Sequence, residues 1–194
     1  MKILAFSDFH GLYGLTNHFR IVKKKILESK PDILVFCGDF RDHLSIPLLK
    51  SRMKRLKFQK IFYLWGNSDE VNPEFDLNVG INLHLKLVSV GKEHVIAGIG
   101  GDELDVEWNI KEFEKVLSKN SQKLILISHV PPFGFCDYAV ERKHVGSKPL
   151  RELVEKFKPV LHLFGHIHEA SQKKVLNDRT TFVNVGSSSY TIDL

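Results

Sequence analysis

Short runs of residues that favour β-strands alternate with segments of helical periodicity along most of this chain. The β-rich runs are residues 2–6, 33–37, 60–65, 123–128 and 160–164. After the first run, Leu15, Phe19, Val22 and Ile26 recur at the spacing of one helical face. Strands that alternate with amphipathic helices predict βαβ units, and therefore a mostly parallel sheet with helices packed against it.

Two further stretches have the same helical periodicity. Their apolar residues are Ile46, Leu49, Met53 and Leu56 in one, and Leu150, Leu153, Val154 and Phe157 in the other. Residues 83–98 and 173–185 depart from the alternation, since each contains a polar turn between two β-rich segments. The turns, Val90-Gly91-Lys92 and Asn177-Asp178-Arg179, are typical of hairpins. The sequence therefore predicts a second sheet stacked on the first.

Composition is typical of a soluble, single-domain protein. The 194 residues, of which 43% are hydrophobic and 26% charged, can bury a core without disulfides, so we expect one domain over residues 1–194. No apolar run approaches the roughly 18 residues of a membrane-spanning helix, and Ser7-Asp8 interrupts the apolar N-terminal segment. Cys37 and Cys136 lack metal-type spacing and are expected to be reduced thiols. These features predict a cytoplasmic protein with no membrane association.

Residues able to bind metal ions follow each of the five predicted strands. The five turns are Ser7-Asp8-Phe9-His10-Gly11, Gly38-Asp39-Phe40, Gly66-Asn67-Ser68-Asp69, Ser128-His129 and Gly165-His166-Ile167-His168. The carboxyl ends of strands in such sheets lie at one edge, so turns far apart in sequence are expected to converge there. Residues two apart in extended backbone point to the same side, which pairs Asp8 with His10. The same spacing pairs His166 with His168.

The chemistry of these side chains indicates a metal centre. Two carboxylates, one amide oxygen and four imidazoles suit borderline divalent metals such as Mn, Fe, Zn, Co or Ni. The seven predicted ligands are Asp8, His10, Asp39, Asn67, His129, His166 and His168. Two ions can share so many ligands if one carboxylate bridges them at about 3.5 to 4 Å, and we expect Asp39 to be that bridge. Each residue alone is compatible with a cap or an ordinary turn, but their joint position after the strands favours two metal ions.

The ordered series of turns resembles the five-block signature of the calcineurin-like metallophosphoesterases. The blocks are Asp8-x-His10, Gly38-Asp39, Gly66-Asn67, Ser128-His129 and Gly165-His166-x-His168. The resemblance implies an α/β fold, a four-layer α/β/β/α sandwich of two mixed β-sheets flanked by helices. For one metal ion it implies the ligands Asp8, His10, Asp39 and His168. For the other it implies Asp39, Asn67, His129 and His166.

One position departs from the family's pattern. Many members continue the Gly-Asn block with a histidine that is thought to protonate the leaving group, and Ser68 stands there in this chain. A serine hydroxyl is a poor general acid near neutral pH, so the leaving-group proton must come from elsewhere or matter less. The loop of residues 131–147 resembles the Icc-related phosphoesterase subgroup of small single-domain phosphodiesterases and is expected to line the substrate cleft. His144 in this loop is a candidate acid or substrate ligand, and the alternative is an exposed loop histidine.

These features predict a phosphoesterase, in which a metal-bridging hydroxide attacks phosphorus and two ions clamp the phosphoryl oxygens. The catalytic residues would be Asp39, Asn67, His129 and, at the position of the family's acid, Ser68. Asn67 is also expected to lie close to the substrate phosphate. Diesters are favoured because Ser68 replaces the usual acid. We further expect Asp69, or the carbonyl after a histidine ligand, to orient the imidazoles.

Two alternatives to a small-molecule phosphoesterase stay open. The formal charge of +5 and the pI near 9.1 are compatible with nucleic acid, which makes a nuclease the nearest variant. Basic runs such as Lys23-Lys24-Lys25 also occur on solvated helix faces, so charge alone does not establish this partner. A metal-binding scaffold for other proteins, with little catalysis, is the second alternative. The presence of all seven ligands favours the enzyme, while the oligomeric state is not indicated.

Overall fold

Two mixed β-sheets form the centre of the computed structural model, which describes residues 1–9, 14–40, 46–69, 76–140 and 143–194. The first sheet contains β1 (Lys2–Phe6), β2 (Ile33–Phe36), β3 (Ile61–Tyr63), β4 (Ile81–Asn82) and β11 (Ser189–Asp193), in the order β11-β1-β2-β3-β4. The second contains β5 (Lys86–Ser89), β6 (His94–Ile99), β7 (Lys123–Ser128), β8 (Leu161–Phe164), β9 (Lys174–Asn177) and β10 (Thr180–Asn184), in the order β5-β6-β7-β8-β10-β9.

Helices cover the outer face of each sheet. They are α1 (Gly14–Ser29), α2 (Ile46–Lys54), α3 (Glu103–Leu117) and α4 (Lys148–Phe157). Phe19 of α1 and Met53 of α2 belong to an apolar cluster with the first sheet, and Phe113 of α3 and Leu153 of α4 belong to one with the second. A third cluster lies between the two sheets. The predicted four-layer α/β/β/α sandwich is therefore confirmed.

The central strands of each sheet are parallel and buried. All four residues of β2 are buried, and so are five of the six residues of β7. Continuous apolar runs are typical of parallel strands that are covered on both faces. β1, β2 and β3 run parallel, as do β6, β7 and β8, so the carboxyl ends of each set lie at one edge of its sheet. All five predicted strands are present, with ends within two residues of the predicted ranges.

Both predicted hairpins are present as antiparallel pairs, β5 with β6 and β9 with β10. The pattern analysis missed α3, β4 and β11. A capping box marks the start of α3 in the sequence. The side chain of Asp102 accepts hydrogen bonds from the backbone N–H groups of Leu104 and Asp105, and the side chain of Asp105 accepts one from the backbone N–H of Asp102. None of the helices in the described ranges is long and apolar enough to cross a membrane.

His162 of β8 is a fully buried histidine of defined tautomer. The hydroxyl of Ser128 donates to the carbonyl of Val130 at 2.7 Å, so it accepts a hydrogen bond from Nε2 of His162 at 2.8 Å. The other ring nitrogen, Nδ1, has no hydrogen-bond partner in the described part of the chain. Burial lowers the pKa of this imidazole to about 3, because a proton on Nδ1 would place a charge where no acceptor lies.

We expect stability to fall as the pH drops below about 6.5, the ordinary pKa of an unfolded histidine. Between that pH and the folded pKa of about 3, the unfolded chain binds a proton at His162 that the folded protein does not. This group alone should lower the free energy of unfolding by up to about 1.4 kcal/mol per pH unit. Urea unfolding at several pH values measures the slope, which His162→Gln should reduce. The matched control is His94→Gln, at a partly exposed position. Equal slopes for wild type and His162→Gln would show that His162 does not cause the pH dependence.

Candidate metal centre

Three buried side chains from different parts of the chain meet at the carboxyl ends of β1, β2 and β7. Asp8 and Asp39 follow β1 and β2, and His129 follows β7 directly. One ligand atom of each lies within 4.8 Å of the others, and each residue is at most 1% exposed. Buried carboxylates are unfavourable unless they are paired or bind a cation. The group therefore has the composition and the spacing of a metal site.

Other predicted ligands adjoin this group. The side-chain oxygen of Asn67 lies 2.9 Å from Nε2 of His129 and 2.9 Å from Nδ1 of His166. Nε2 of His168 lies 3.7 Å from a carboxylate oxygen of Asp8. His10, the remaining predicted ligand, lies outside the described residues. The structure thus brings together the six predicted ligands that lie within the described residues.

The backbone at three of these ligands adopts the left-handed conformation. The φ angles are 54° at Asp8, 54° at Asp39 and 69° at His166. Residues other than glycine adopt such angles infrequently, and they persist where the surrounding structure holds them. Here the backbone N–H of His166 donates to both carboxylate oxygens of Asp8, at 3.1 and 3.2 Å, and the N–H of Phe9 donates to the carbonyl of Asp39 at 2.8 Å. These contacts join the ligand loops to one another and fix the direction of their side chains.

Close approach of the loops requires glycine at two positions next to the ligands. A Cβ atom on Gly66 would lie 2.6 Å from the ring of His129 and would overlap the carboxylate of Asp39. A Cβ atom on Gly165 would overlap the side chains of Ser7 and Asp8. The glycines in these two motifs therefore provide the space in which the ligand side chains meet.

Asp69 fixes the relative position of two ligand loops. Its buried carboxylate accepts hydrogen bonds from the backbone N–H groups of Asp39 and Phe40, both at 2.9 Å, and of Gly66 at 2.8 Å. Burial and the nearby charge of Asp39 raise the pKa of Asp69 to about 6, although the N–H donors act in the opposite direction. These backbone contacts hold the two ligand loops together, and a part for Asp69 in orienting imidazoles stays a prediction.

The orientation of His129 is set by a backbone carbonyl. Nδ1 of the ring lies 2.9 Å from the carbonyl oxygen of Cys37, which can only accept, so Nδ1 carries the proton. In the neutral ring the lone pair is then on Nε2, which faces oxygens of Asn67 at 2.9 Å and Asp39 at 3.5 Å. A nitrogen lone pair and two acceptor oxygens that face one another are complementary to a cation between them. The carbonyl that orients this imidazole belongs to Cys37, which precedes the ligand Asp39 and does not follow a histidine ligand as expected.

The electrostatics of the pocket also favour positive charge. Burial by itself would lower the pKa of the His129 imidazole, but the carboxylates of Asp39 and Asp8 outweigh it and raise the pKa to about 9. For Asp39, burial opposes ionisation, yet contacts with His129 and with the N–H of Ser68 lower the pKa of the carboxyl below its ordinary value. A site that stabilises both a carboxylate and a cationic partner in a buried position suits a divalent metal ion. The residues present therefore fit the metal that their chemistry implies.

Ser68 contacts the carboxylate that was predicted to bridge the metals. Its backbone N–H donates to one oxygen of Asp39 at 2.9 Å, and its hydroxyl donates to the other at 3.0 Å. Both carboxylate oxygens of Asp39 are thereby held in place. A catalytic role for Ser68 stays a prediction, and the described contacts show a residue that positions Asp39.

Glu103 is a residue of the site that the sequence analysis missed. Its carboxylate, at the first position of α3, lies 3.2 Å from Nε2 of His166. Because Nδ1 of His166 faces Asn67, the contact with Glu103 orients the ring from its opposite side. The hydrogen bond to His166 lowers the pKa of Glu103 below its ordinary value, so the carboxylate is the stable form. A carboxylate behind a ligating imidazole fixes the ring's direction and raises its basicity.

We expect Glu103→Gln to weaken metal binding by roughly 10- to 100-fold, the effect seen when such a supporting carboxylate is lost. An amide keeps the volume but removes the negative charge behind His166. Metal affinity can be measured by titration calorimetry on the metal-stripped protein. Glu107→Gln, at an exposed position one turn further along α3, is the matched control. If both variants bind metal as tightly as the wild type does, Glu103 does not support His166. Partial recovery of metal affinity in Glu103→Asp would confirm that the negative charge is what matters.

His144 is held by a buried carboxylate. Its Nδ1 lies 2.6 Å from one oxygen of Asp137, whose other oxygen accepts from the N–H groups of Gly134 at 2.9 Å and Gly146 at 3.0 Å. The ring also packs against that of Tyr138, with centroids 4.1 Å apart and the ring planes at 35°. The histidine is therefore fixed in the loop rather than freely exposed, and Asp137 is a further residue that the sequence analysis missed. Its part in substrate binding stays a prediction.

Comparison with known proteins identifies the class of protein that carries this fold and site. The sequence profile of the calcineurin-like phosphoesterases matches residues 1–170, which include the parallel strands β1 to β3 and β6 to β8 and the predicted metal ligands. The chain belongs to the calcineurin-like phosphoesterase family.

Relatives with curated descriptions match at low identity. An uncharacterized protein of Methanocaldococcus jannaschii is 27% identical over 206 residues, which cover 98% of this chain and 90% of that protein. A probable glycerophosphodiester phosphodiesterase of Arcobacter nitrofigilis is 28% identical, over 84% of this chain and 65% of its own length. The lariat debranching enzyme of Arabidopsis thaliana is 25% identical, over 87% of this chain and 54% of its own length. The chain thus spans about half to two thirds of the two relatives that have a named activity.

Solved structures share the fold. The crystal structure of the TT1561 protein of Thermus thermophilus superposes with a TM-score of 0.68 at 16% identity, over 95% of this chain and 88% of that one. A phosphoesterase of E. coli superposes with a TM-score of 0.50 at 16% identity, over 98% and 81%. At such identities the likeness shows a common architecture alone.

Proposed function

We propose that this protein is a dinuclear metal-dependent phosphoesterase that hydrolyses phosphodiester bonds. The observation that carries the proposal is the convergence of Asp8, Asp39 and His129, buried and within 4.8 Å of one another, next to Asn67 and His166. Carboxylates shared between two cations are the basis of two-metal hydrolysis of phosphoesters. The probable phosphodiesterase among the relatives supports the same reaction class.

Each residue of the site has a defined part in this proposal. Asp8, Asp39 and His168, with His10, would hold one ion, and Asp39, Asn67, His129 and His166 would hold the other. When bound, such ions activate a water molecule and neutralise charge on the phosphoryl group. The identity of the metals among Mn, Fe, Zn, Co and Ni is not set by these donors.

Supporting residues keep these ligands in register. Cys37 fixes the tautomer of His129 through its carbonyl, Ser68 holds both oxygens of Asp39, and Glu103 orients His166. Preorganised ligands of this kind place the charges before substrate arrives, so no reorganisation is required in the transition state.

A preference for diesters follows from Ser68. Its hydroxyl hydrogen is directed at Asp39, 3.0 Å away, and a serine is in any case a poor acid near neutral pH. Leaving groups that need little protonation would therefore react best. His144, held by Asp137, is the candidate donor for those that need more.

The test compares three substrates with the purified protein and added Mn²⁺: a nitrophenyl phosphodiester, the matching monoester and single-stranded DNA. We expect hydrolysis of the diester to exceed that of the monoester. Rates at the level of Asp39→Asn for all three substrates would refute the enzyme and favour a metal-binding scaffold.

Ser68→His should raise monoesterase activity relative to diesterase activity. The imidazole would supply a proton donor at the position where many family members have histidine, and monoester leaving groups benefit more from protonation. We expect the monoester to diester ratio of kcat/KM to rise by roughly 10²-fold, at the lower end of the range for general acid catalysis. Ser68→Ala serves as the control for loss of the contact with Asp39. An unchanged ratio in Ser68→His would show that position 68 does not govern substrate class.

A further inference from the structure

A basic cleft lies between α1 and α2, on the outer face of the first sheet. Four basic side chains line it: Arg20 and Lys23 from α1, Arg52 from the end of α2, and Arg55 from the turn that directly follows α2. Its volume is about 220 Å³. Phe19 lines the same cleft and is 3% exposed, so the cleft has an apolar floor. Basic side chains from both sides thus meet around one concavity, which a run of lysines on a single helix face does not achieve.

The four cations of this cleft have no ion pair or hydrogen bond to another side chain in the described ranges of the chain. Two neighbouring lysines of α1 do form ion pairs. Lys24 lies 3.7 Å and Lys25 lies 3.3 Å from the carboxylate of Glu28. Like charges gathered around a cleft repel one another, and a bound anion would offset that repulsion. The cleft is therefore complementary to negative charge that the described part of the chain does not supply.

The arrangement of the cations suits a string of phosphates. Arg20 and Lys23 are three residues apart on one wall, and Arg52 and Arg55 are three apart on the other. Residues at this spacing are neighbours on a helix surface, so each wall offers two successive positive charges. Three of the four are arginines, whose planar guanidinium groups bind phosphate oxygens in pairs. Cations on both sides of one cleft can contact neighbouring phosphates of a single strand.

We propose that this cleft binds the phosphate backbone of a nucleic-acid strand. A concave cleft admits a single strand, whereas a flat anionic bilayer would meet only its rim. The ring of Phe19, at the floor of the cleft, lies 6.3 Å from the ring of Phe9, which directly follows Asp8. Binding does not require hydrolysis, and the proposal stands or falls independently of the catalytic function.

The experiment compares two double variants that remove the same charge from α1 and from the end of α2 with its following turn. Lys23→Gln with Arg55→Gln removes one cation from each wall of the cleft. Lys24→Gln with Lys54→Gln removes one from each helix outside it, since neither residue lines the cleft. Fluorescence anisotropy with a labelled single-stranded oligonucleotide gives Kd at several salt concentrations, and gel analysis confirms that the probe stays intact.

We expect the cleft variant to raise Kd roughly tenfold and to reduce the slope of log K against log salt by about 1.4, the value for two lost contacts to a single strand. The control variant should bind nearly as the wild type does. Circular dichroism establishes that both are folded. Equal weakening in the two variants would overturn the proposal, because the attraction would then be diffuse. The proposal would also be overturned if the wild type bound vesicles of phosphatidylserine and phosphatidylcholine but no oligonucleotide.

Discussion

Asp39→Asn should lower the rate of phosphodiester hydrolysis by roughly 10³-fold or more, since a shared carboxylate contributes to both halves of a two-metal site. The buried carboxylate accepts from the N–H and the hydroxyl of Ser68 and lies 3.5 Å from His129. An amide of the same shape would keep the packing but remove the charge that attracts the cations. Steady-state kinetics with added Mn²⁺ measure the rate, and elemental analysis of the purified variant measures the metal that it retains.

Asp178→Asn is the matched control for this substitution. Asp178 is exposed in the turn between β9 and β10, and asparagine tolerates its positive φ of 53°. We expect the control to hydrolyse the diester at the wild-type rate. If Asp39→Asn retained more than a tenth of the activity while folded, Asp39 would not be a ligand that both ions need.

Gly66→Ala should abolish tight metal binding although it adds only a methyl group. The new Cβ would overlap the carboxylate of Asp39 and lie 2.6 Å from the ring of His129. Both neighbours are buried and tied to other loops, so they cannot move aside without losing their hydrogen bonds. We expect metal affinity to fall by roughly 100-fold or more and stability to fall by about 1–3 kcal/mol.

Gly91→Ala separates the metal effect from general loss of stability. Gly91 has a φ of 107°, so alanine is strained there, but no atom lies within 4 Å of the added Cβ. This variant should lose about 1–3 kcal/mol of stability for the backbone strain and keep the wild-type affinity for metal. Calorimetric titration and urea unfolding on both variants give the two quantities. Equal metal affinity in Gly66→Ala and Gly91→Ala would contradict the crowded geometry described around Gly66.

Patterns along the chain were sufficient to predict the sheets and the edge at which the site forms. Buried parallel strands such as β2 and β7 are continuous apolar runs, and their ends are marked by the polar turns that contain Asp39 and His129. Because parallel strands place their carboxyl ends at one edge, the convergence of those turns follows from the fold alone. The site could be predicted because its ligand-type residues directly follow strands whose positions the sequence also predicts.

Residues that act through contacts distant in sequence could not be predicted in the same way. Glu103 reaches His166 across 63 residues, and its partner depends on how α3 packs beside β6. The capping box at Asp102 could have located the start of α3, but not the direction in which the Glu103 carboxylate points. Asp137 similarly looks like an ordinary loop residue until its burial and its contact with His144 are known.

The candidate centre holds more buried negative charge than its own imidazole can offset. Two carboxylates, Asp8 and Asp39, are almost fully buried beside an imidazole whose pKa they raise to about 9. Buried carboxylates of this kind strongly favour a bound cation, for which the oxygen and nitrogen atoms of the pocket are suitable ligands. The metals are therefore expected to stabilise the folded protein as well as to serve its chemistry, because only the folded chain presents these ligands together.

The most direct test is an anomalous difference map from crystals grown with Mn²⁺. Two peaks about 3.5–4 Å apart, one on each side of the Asp39 carboxylate, are the expected result for a two-metal site. A map with a single peak, or with none near Asp39 and His129 at full Mn²⁺ concentration, would contradict the dinuclear centre.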